Sequence, residues 1–156
     1  PEDDHSLSGT SCWATGLVAG TNLILNDVSR GSTTLVSPMF DLSNIPDPIV
    51  RYWRHYSNDY VHTDDTFVVE VSNGGPWIPV EIVGPGGIQT SPGWFQHTCA
   101  LRTFLEPTAT TQIRFVASEL GTEAVIEAAI DDFEILAASC GLAQTSAAPS
   151  GPVRQP

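Results

Sequence analysis

The sequence predicts an all-β protein, an antiparallel jelly-roll β-sandwich of about eight strands with long loops. Three observations lead to this fold class. Hydrophobic residues make up 41% of the 156-residue chain and charged residues only 15%, and 12 Pro and 13 Gly supply many turns. The apolar residues alternate with polar ones in short runs that recur at a spacing of roughly ten residues. Long helices do not alternate with the predicted strands, so the sequence does not indicate a parallel α/β fold.

Each of the eight runs is bounded by turn-forming residues. They are residues 12–19, 33–37, 49–56, 66–72, 77–83, 93–101, 111–118 and 123–136. The Asn-Gly pair at residues 73–74 predicts a turn, since these residues adopt positive φ at low cost. Pro79 predicts an edge or bulged strand, because it cannot donate a ladder hydrogen bond. Ala and Glu in residues 123–136 are also compatible with a helix, but that run has no N-cap signal, so we expect a strand.

The formal net charge of −12 excludes some classes of partner. An acidic surface repels nucleic-acid phosphates and anionic lipids, so neither is expected as a ligand. The same charge suits divalent cations, although keeping the protein soluble would also explain it. No apolar run is long enough to span a bilayer.

We expect one domain over residues 1–140, followed by a flexible tail or linker over residues 141–156 that is rich in small residues, Ser and Pro. The three cysteines, Cys12, Cys99 and Cys140, show no CxxC spacing, which disfavours a zinc site. Secretion would allow one disulfide, and the expected pair is Cys12 with Cys140.

The segment "IEAAIDDFEI", residues 126–135, places two carboxylates inside a β-rich run. Ile126, Ala128 and Ile130 share one face of the strand, so Asp132 should follow them inward. Phe133 and Ile135, which are also apolar, have the opposite parity. The alternation therefore slips at Asp131 and Asp132, which predicts a bulge or strand switch there.

A buried carboxylate needs a cation or several hydrogen-bond donors. Calcium takes six to eight oxygen ligands and is the natural cation for such a cluster. Glu2, Asp3 and Asp4 near the start, and Asn26 with Asp27 in the following loop, are candidates for the same site. The alternative is that the pair consists of capping or ion-paired aspartates without a metal.

Five segments carry a family resemblance: "TTLVSPMFDLS" (33–43), "RYWRHYS" (51–57), "DTFVVEVSNGGPW" (65–77), "IRFVASELG" (113–121) and, most specifically, "IEAAIDDFE" (126–134). In this order they resemble a bacterial, planctomycete-type secreted module that is similar to the jelly-roll sandwiches of the cleaved-adhesin and MAM-like group. The resemblance covers nearly the whole chain up to Cys140.

The resemblance implies a secreted or cell-surface protein with a structural Ca²⁺ bound by Asp3, Asp4, Asp27, Asp131 and Asp132. Relatives often have "NDVDGG" where this chain has "NDVSRGS", so one carboxylate is replaced and Arg30 adds a positive charge. Relatives also usually carry a strand upstream of "PEDDH". Either that strand is cleaved off or lies outside this stretch of sequence, or a partner, which would be another copy of this chain or another domain of a parent surface protein, supplies it.

A carbohydrate-binding face is the alternative function, with Tyr52, Trp53, Arg54 and Trp94 as the candidate ligand-binding residues because aromatic rings stack on sugars. Strand aromatics are more often part of a core. Each Arg that shares a face with apolar neighbours needs a carboxylate, for which Glu70 and Glu127 are candidates. A further alternative is an accessory domain of a secreted peptidase.

No arrangement in the sequence indicates an enzyme. The histidines are too scattered to suggest a metal centre, and His5, beside "EDD", is expected to be solvated. No GxSxG motif is present. Glu70 and Glu127 could form a glycosidase pair, but an Arg–carboxylate network that includes Arg114 is the simpler interpretation. We therefore expect a non-catalytic, calcium-stabilised extracellular adhesive or structural module.

Overall fold

Two four-stranded sheets form the body of the protein in a computed structural model, which describes residues 4–16, 27–58, 64–86, 88–121 and 124–138. Eight strands lie within these residues: β1 (Trp13–Ala14), β2 (Gly31–Val36), β3 (Pro48–Asn58), β4 (Thr66–Ser72), β5 (Ile78–Val83), β6 (Trp94–Ala100), β7 (Gln112–Glu119) and β8 (Ile126–Ala137). Two short 3₁₀ turns, Ile88–Thr90 and Leu101–Thr103, flank β6.

The strand order is that of a jelly roll, which confirms the predicted fold class. One sheet has the order β1-β8-β3-β6 and the other has the order β2-β7-β4-β5, with antiparallel neighbours throughout. The chain changes sheet at every connection except the hairpin between β4 and β5. The first and last strands therefore become neighbours, as the double Greek key requires.

Alternate residues of the long strands fill the space between the sheets. This is the period-2 pattern that the sequence shows, with apolar side chains on one face and polar ones on the other. The buried residues that form this layer are Val50, Tyr52, Tyr56, Phe67, Val69, Val71, Ile113, Phe115, Ala117, Ile126, Ala128 and Ile130. Strands β3 and β8 form the middle of their sheet and determine where the Asp pair lies.

The turn and edge predictions are confirmed at two places. Residues 73–77 connect β4 to β5, and Gly74 has a φ of +98°, as expected for an Asn-Gly turn. Pro79 lies in β5, the edge strand of its sheet. The register of the β4–β5 pair shifts where Glu70 lies opposite Pro79, so the strand is also bulged.

The ends of the chain differ from the predictions or lie beyond what is described. The first strand has two residues instead of the eight of residues 12–19, and residues 17–19 lie outside the described part. The last element, β8, is a strand as expected, not a helix. Cys140 and residues 141–156 lie outside the described residues, so the Cys12–Cys140 disulfide and the flexible tail stay predictions. No described helix is both long and apolar enough to cross a membrane.

Candidate functional site

The Asp pair sits at a β-bulge in β8. Trp53 of β3 lies opposite Asp131, whereas Arg51 lies opposite Glu134, so Asp132 and Phe133 together face a single residue of β3. Asp132 has a φ of +47°, the left-handed conformation that such bulges use. The predicted slip in alternation is therefore confirmed, and the extra residue returns Phe133 and Ile135 to the core face.

Both carboxylates lie on the outer face of the sheet and neither enters the core. Asp131 shares the outer face with Trp53 and is only 7% exposed. Its Oδ2 accepts a hydrogen bond from the backbone N–H of His5 at 2.8 Å, and its Oδ1 accepts one from the N–H of Asp132 at 2.7 Å. Asp131 thus accepts hydrogen bonds from the backbone of the N-terminal segment and from the backbone of its own neighbour. This is the arrangement of a capping aspartate, which is the alternative without a metal.

The N-terminal loop, residues 4–12, holds His5 against this bulge. Asp4 turns back into the loop, where its Oδ2 accepts hydrogen bonds from the Ser11 N–H at 3.1 Å and the Ser6 hydroxyl at 3.4 Å. Gly9 leaves room for this arrangement: a Cβ at that position would lie 1.9 Å from the Ser6 Oγ and 2.2 Å from the Asp4 Oδ2. The loop is therefore closed by its own polar contacts.

The imidazole of His5 joins the loop to both the carboxylates and the aromatic residues. Its Nδ1 lies 2.8 Å from Asp132 Oδ2, and its ring stacks on Trp53 with a centroid distance of 3.7 Å. Trp94 contacts the same ring edge-on at 5.9 Å. The expectation that His5 is solvated is wrong, because the ring fills the space between the bulge and these tryptophans. No sequence spacing signalled this role.

A second histidine, His55, lies buried on the same outer face, next to Trp94 at a centroid distance of 5.9 Å. Burial lowers the pKa of His55 to about 4, because the charged imidazolium is poorly solvated there. His55 is therefore neutral at neutral pH and belongs to the packed floor of the site.

The structure divides the five predicted calcium ligands. Asp4, Asp131 and Asp132 belong to one region, in which the loop that carries Asp4 contacts both bulge carboxylates through His5. Asp27 lies elsewhere: the N–H of its neighbour Val28 bonds to Ile126 at the start of β8. The stretch from Ile126 to Asp131 spans about 17 Å, far more than one coordination shell.

The prediction that one ion takes Asp27 together with the bulge pair is therefore wrong on geometric grounds. Asp3 lies outside the described residues, and calcium binding itself stays a prediction. Within the described ranges, no group of three or more His, Cys, Asp or Glu side chains is arranged to hold a metal ion.

The predicted carbohydrate-binding set is also divided. Tyr52 and Arg54 point between the sheets and are 0% and 1% exposed, so neither can contact a sugar, and these two predictions are wrong. Trp53 and Trp94 are half-buried on the outer face, but His5 covers the ring face of Trp53. A stacking platform for a pyranose ring would require this imidazole to move.

The buried Arg54 has a carboxylate partner that the sequence analysis did not identify. Its Nε donates to Glu81 Oε1 at 2.7 Å, and Tyr52 donates its hydroxyl proton to Glu81 Oε2 at 2.6 Å. His97 Nδ1 lies 3.2 Å from the same carboxylate. The expected partners, Glu70 and Glu127, were wrong for Arg54, because the contact crosses from one sheet to the other.

Glu70 and Glu127 lie on the outer faces of different sheets. Glu70 accepts a hydrogen bond from Arg114 Nε at 2.5 Å, which confirms the predicted Arg114–carboxylate pair. Glu127 lies opposite Ser57 in the other sheet. The two carboxylates cannot flank one substrate, so the arrangement that a glycosidase pair requires does not form.

No protein-family model and no curated protein matches the chain. Among solved structures, the chain is similar to two cleaved adhesin domains of Lys-gingipain from Porphyromonas gingivalis W83, each at 16% sequence identity. The K1 domain gives a TM-score of 0.47, with 86% of this chain and 78% of that chain covered. The K3 domain gives a TM-score of 0.49, with 85% and 77% covered. Both TM-scores are below 0.5.

Proposed function

We propose that this chain is a non-catalytic, calcium-stabilised extracellular module with an adhesive or structural role in a larger surface protein or assembly. In this proposal, a β-strand from a neighbouring copy or domain completes its sheet. The observation that carries the proposal is the outer edge of β8. Strand β1 pairs only with Ala129 and Ile130, so among the described strands none covers that edge from Asp132 to Ala137.

An apolar cleft lies beside this edge. The β8 edge cleft, of about 320 Å³, is lined by Phe40, Asp41, Leu42, Ile45, Phe133, Ile135 and Ala137. Two exposed apolar side chains, Trp13 (59% exposed) and Val36 (47%), line a neighbouring pocket that shares Phe40 and Phe133 with this cleft. Met39, which precedes Phe40 in the chain, is 66% exposed. An edge that no described strand covers, beside an apolar cleft, has the two features that strand addition uses.

The part of the edge that no described strand covers is long enough for a specific contact. The six residues from Asp132 to Ala137 span about 20 Å, the length of an ordinary strand. An added strand would continue the position of β1, supply the missing backbone hydrogen bonds and cover the cleft with alternate side chains.

Calcium has a place in this proposal at the bulge, with Asp131 and Asp132 as ligands together with Asp3 and Asp4. Hard carboxylate oxygens suit Ca²⁺, and the loop that carries Asp4 already lies against the bulge. The Asp132 side chain is 39% exposed, so an ion can reach it. Such an ion would tie the N-terminal loop to the last strand, and Asp27 has no part in it.

Sedimentation velocity across a wide concentration range tests strand completion by a second copy. We expect reversible association of the wild type and a dissociation constant at least about tenfold higher for Val36→Glu, equivalent to 1.4 kcal/mol. Ile82→Glu is the matched control. Val36 and Ile82 are both exposed apolar residues, on β2 and β5, which are the two edge strands of the second sheet, and Ile82 is on the edge away from the cleft. Association should survive that change.

Two results would contradict the proposal. One is a wild-type protein that stays monomeric at every concentration, which would exclude a second copy as the source of the strand. The other is an equal loss of association in Val36→Glu and Ile82→Glu, which would show that the contact is not specific to the β8 edge.

A further inference from the structure

A second polar cluster closes the core at the end of the sandwich where β3 and β7 end and β4 begins. Thr66 pairs with Ser118, so Asp65 lies next to Glu119 across the β4–β7 ladder. Both share the parity of the core residues Phe67 and Ala117, and therefore point inward. Asn58, the last residue of β3, shares the inward parity of Tyr56.

The side chains of this cluster are almost completely buried. Asp65 is 0% exposed, Glu119 2% and Asn58 4%. Asp65 and Asn58 also lie near the Tyr56 hydroxyl: burial and the charge of Asp65 raise the pKa of Tyr56 to about 12, and the Asn58 side chain partly offsets that rise. Polar side chains from both sheets thus meet at this end of the core.

Several polar atoms of the cluster have no hydrogen-bond partner. Asp65 Oδ1 accepts the N–H of Leu120 at 3.0 Å, but Asp65 Oδ2 accepts nothing. Both amide atoms of Asn58 and the hydroxyl of Tyr56 are also without a partner. Buried polar atoms in native proteins are nearly always satisfied, so these four atoms require something that the described residues do not provide.

The charge of the cluster favours a cation over water alone. None of the ion pairs among the described residues includes Asp65. A buried carboxylate without a cation is far more costly than a buried neutral group. Glu119 adds a second carboxylate, whose Oε1 accepts the N–H of Ala124 at 2.5 Å and whose Oε2 accepts the N–H of Arg30. Carboxylate oxygens retain further lone pairs after accepting one hydrogen bond each.

We propose that Asn58 Oδ1, Asp65 Oδ2 and the Glu119 carboxylate form a calcium site, distinct from the bulge site, that clamps this end of the two sheets together. The donors are all hard oxygens, which suit Ca²⁺. Calcium tolerates an irregular shell that water completes, whereas Mg²⁺ demands near-octahedral geometry. The protonated Tyr56 hydroxyl can donate a hydrogen bond to such a water or to the Asp65 carboxylate.

The two calcium sites are independent by position. Asn58 lies opposite Ile126, and the bulge begins at Asp131, about 17 Å farther along β8. The loss of one site therefore leaves the ligands of the other in place. A calcium titration of variants at each site can therefore show separately whether the bulge site and this site bind Ca²⁺.

The test is calorimetric titration of the full, EDTA-treated chain with CaCl₂, together with thermal unfolding with and without CaCl₂. We expect Asp65→Asn to remove one bound Ca²⁺ while Asp132→Asn, the matched control, leaves that ion bound. Without calcium, Asp65→Asn should be at least as stable as the wild type, because it removes an uncompensated buried charge. If the only role of Asp65 is to accept the Leu120 N–H, Asp65→Asn should instead be less stable than the wild type, by the same amount with and without calcium.

A second variant keeps the test decisive if Asp65→Asn does not fold. Asn58→Asp adds a carboxylate to the site, so we expect at least tenfold tighter Ca²⁺ binding and a lower melting temperature in EDTA. Unchanged calcium affinity and stoichiometry in both variants would overturn the proposal. So would an Asp132→Asn variant that binds no Ca²⁺ at all, because the second site should remain occupied in that variant.

Discussion

The buried Glu81 carboxylate offers the sharpest test of how the two sheets are held together. It accepts hydrogen bonds from Tyr52 and Arg54 on β3, and His97 approaches it from β6. Glu81→Gln keeps the size of the side chain but removes its charge. Arg54, whose side chain is 2% exposed and whose Nη1 has no partner, would then be a buried cation without a carboxylate.

Breaking a buried ion pair from one side costs about 3–5 kcal/mol. We therefore expect Glu81→Gln to lose that much unfolding free energy, a large part of the 5–15 kcal/mol typical of a domain. Glu70→Gln is the matched control, because the Glu70–Arg114 pair lies on an outer face with side chains 17% and 31% exposed. It should lose no more than about 1 kcal/mol.

Urea unfolding followed by tryptophan fluorescence measures both losses. With a slope of about 1–3 kcal/mol/M, Glu81→Gln should shift the midpoint by more than about 1 M. Arg54→Met combined with Glu81→Gln should recover much of the loss, because the unpaired charge is removed. Equal losses in Glu81→Gln and Glu70→Gln, or no recovery in the double variant, would refute the reasoning.

The pH dependence follows from the same contacts. Burial acts to raise the pKa of Glu81, but hydrogen bonds from His97, Tyr52 and Arg54 outweigh it and hold the pKa below the ordinary value of 4.5. A lowered carboxyl pKa contributes stability that is present above about pH 4.5 and is lost as the pH falls through the folded-state value. Glu81→Gln should therefore flatten the stability profile below pH 4.5.

Two further outcomes are expected. The unfolding free energy should rise by about 2–3 kcal/mol between pH 4 and 6.5, because His55 has a folded pKa of about 4 against 6.5 when unfolded and therefore binds fewer protons in the folded state. Stability curves that keep this slope in His55→Leu would contradict that assignment. Saturating CaCl₂ should raise the melting temperature by about 5–10 °C over EDTA, with a smaller rise in Asp132→Asn, and melting curves that overlap with and without calcium would remove calcium from the proposed function.

Much of the fold was predictable because alternation is a local property. The eight strands, the Asn-Gly turn and the edge position of Pro79 each follow from short sequence patterns, and the slip at Asp131 and Asp132 located the bulge. The side to which the bulge turns its carboxylates was not predictable from the strand alone. That side depends on the direction in which the extra residue twists the backbone, here set by the positive φ of Asp132.

The contacts that the sequence did not show all join distant parts of the chain. Glu81 meets Arg54 because β5 and β3 face each other across the core, and His5 meets Trp53 because the N-terminal loop folds over the outer face. The family resemblance and the acidic side chains group Asp27 with the bulge aspartates, but the sequence does not show at which end of β8 the Asp27 loop contacts the strand. The placement of long loops is where sequence reasoning stopped.

The inserted residue Asp132 changes which side chains of β8 face the core. Upstream of it, even-numbered side chains fill the interior; downstream of it, odd-numbered ones do, so the solvent side receives two consecutive polar residues at no loss of packing. Deleting that single residue would leave an unbroken alternation from Ile130, in which Phe133 and Ile135 still face the core and Glu134 still faces solvent. The extra residue is therefore not required to pack the interior, and the consequence of its deletion falls on the outer face, where the contact between Asp132 and His5 would be lost.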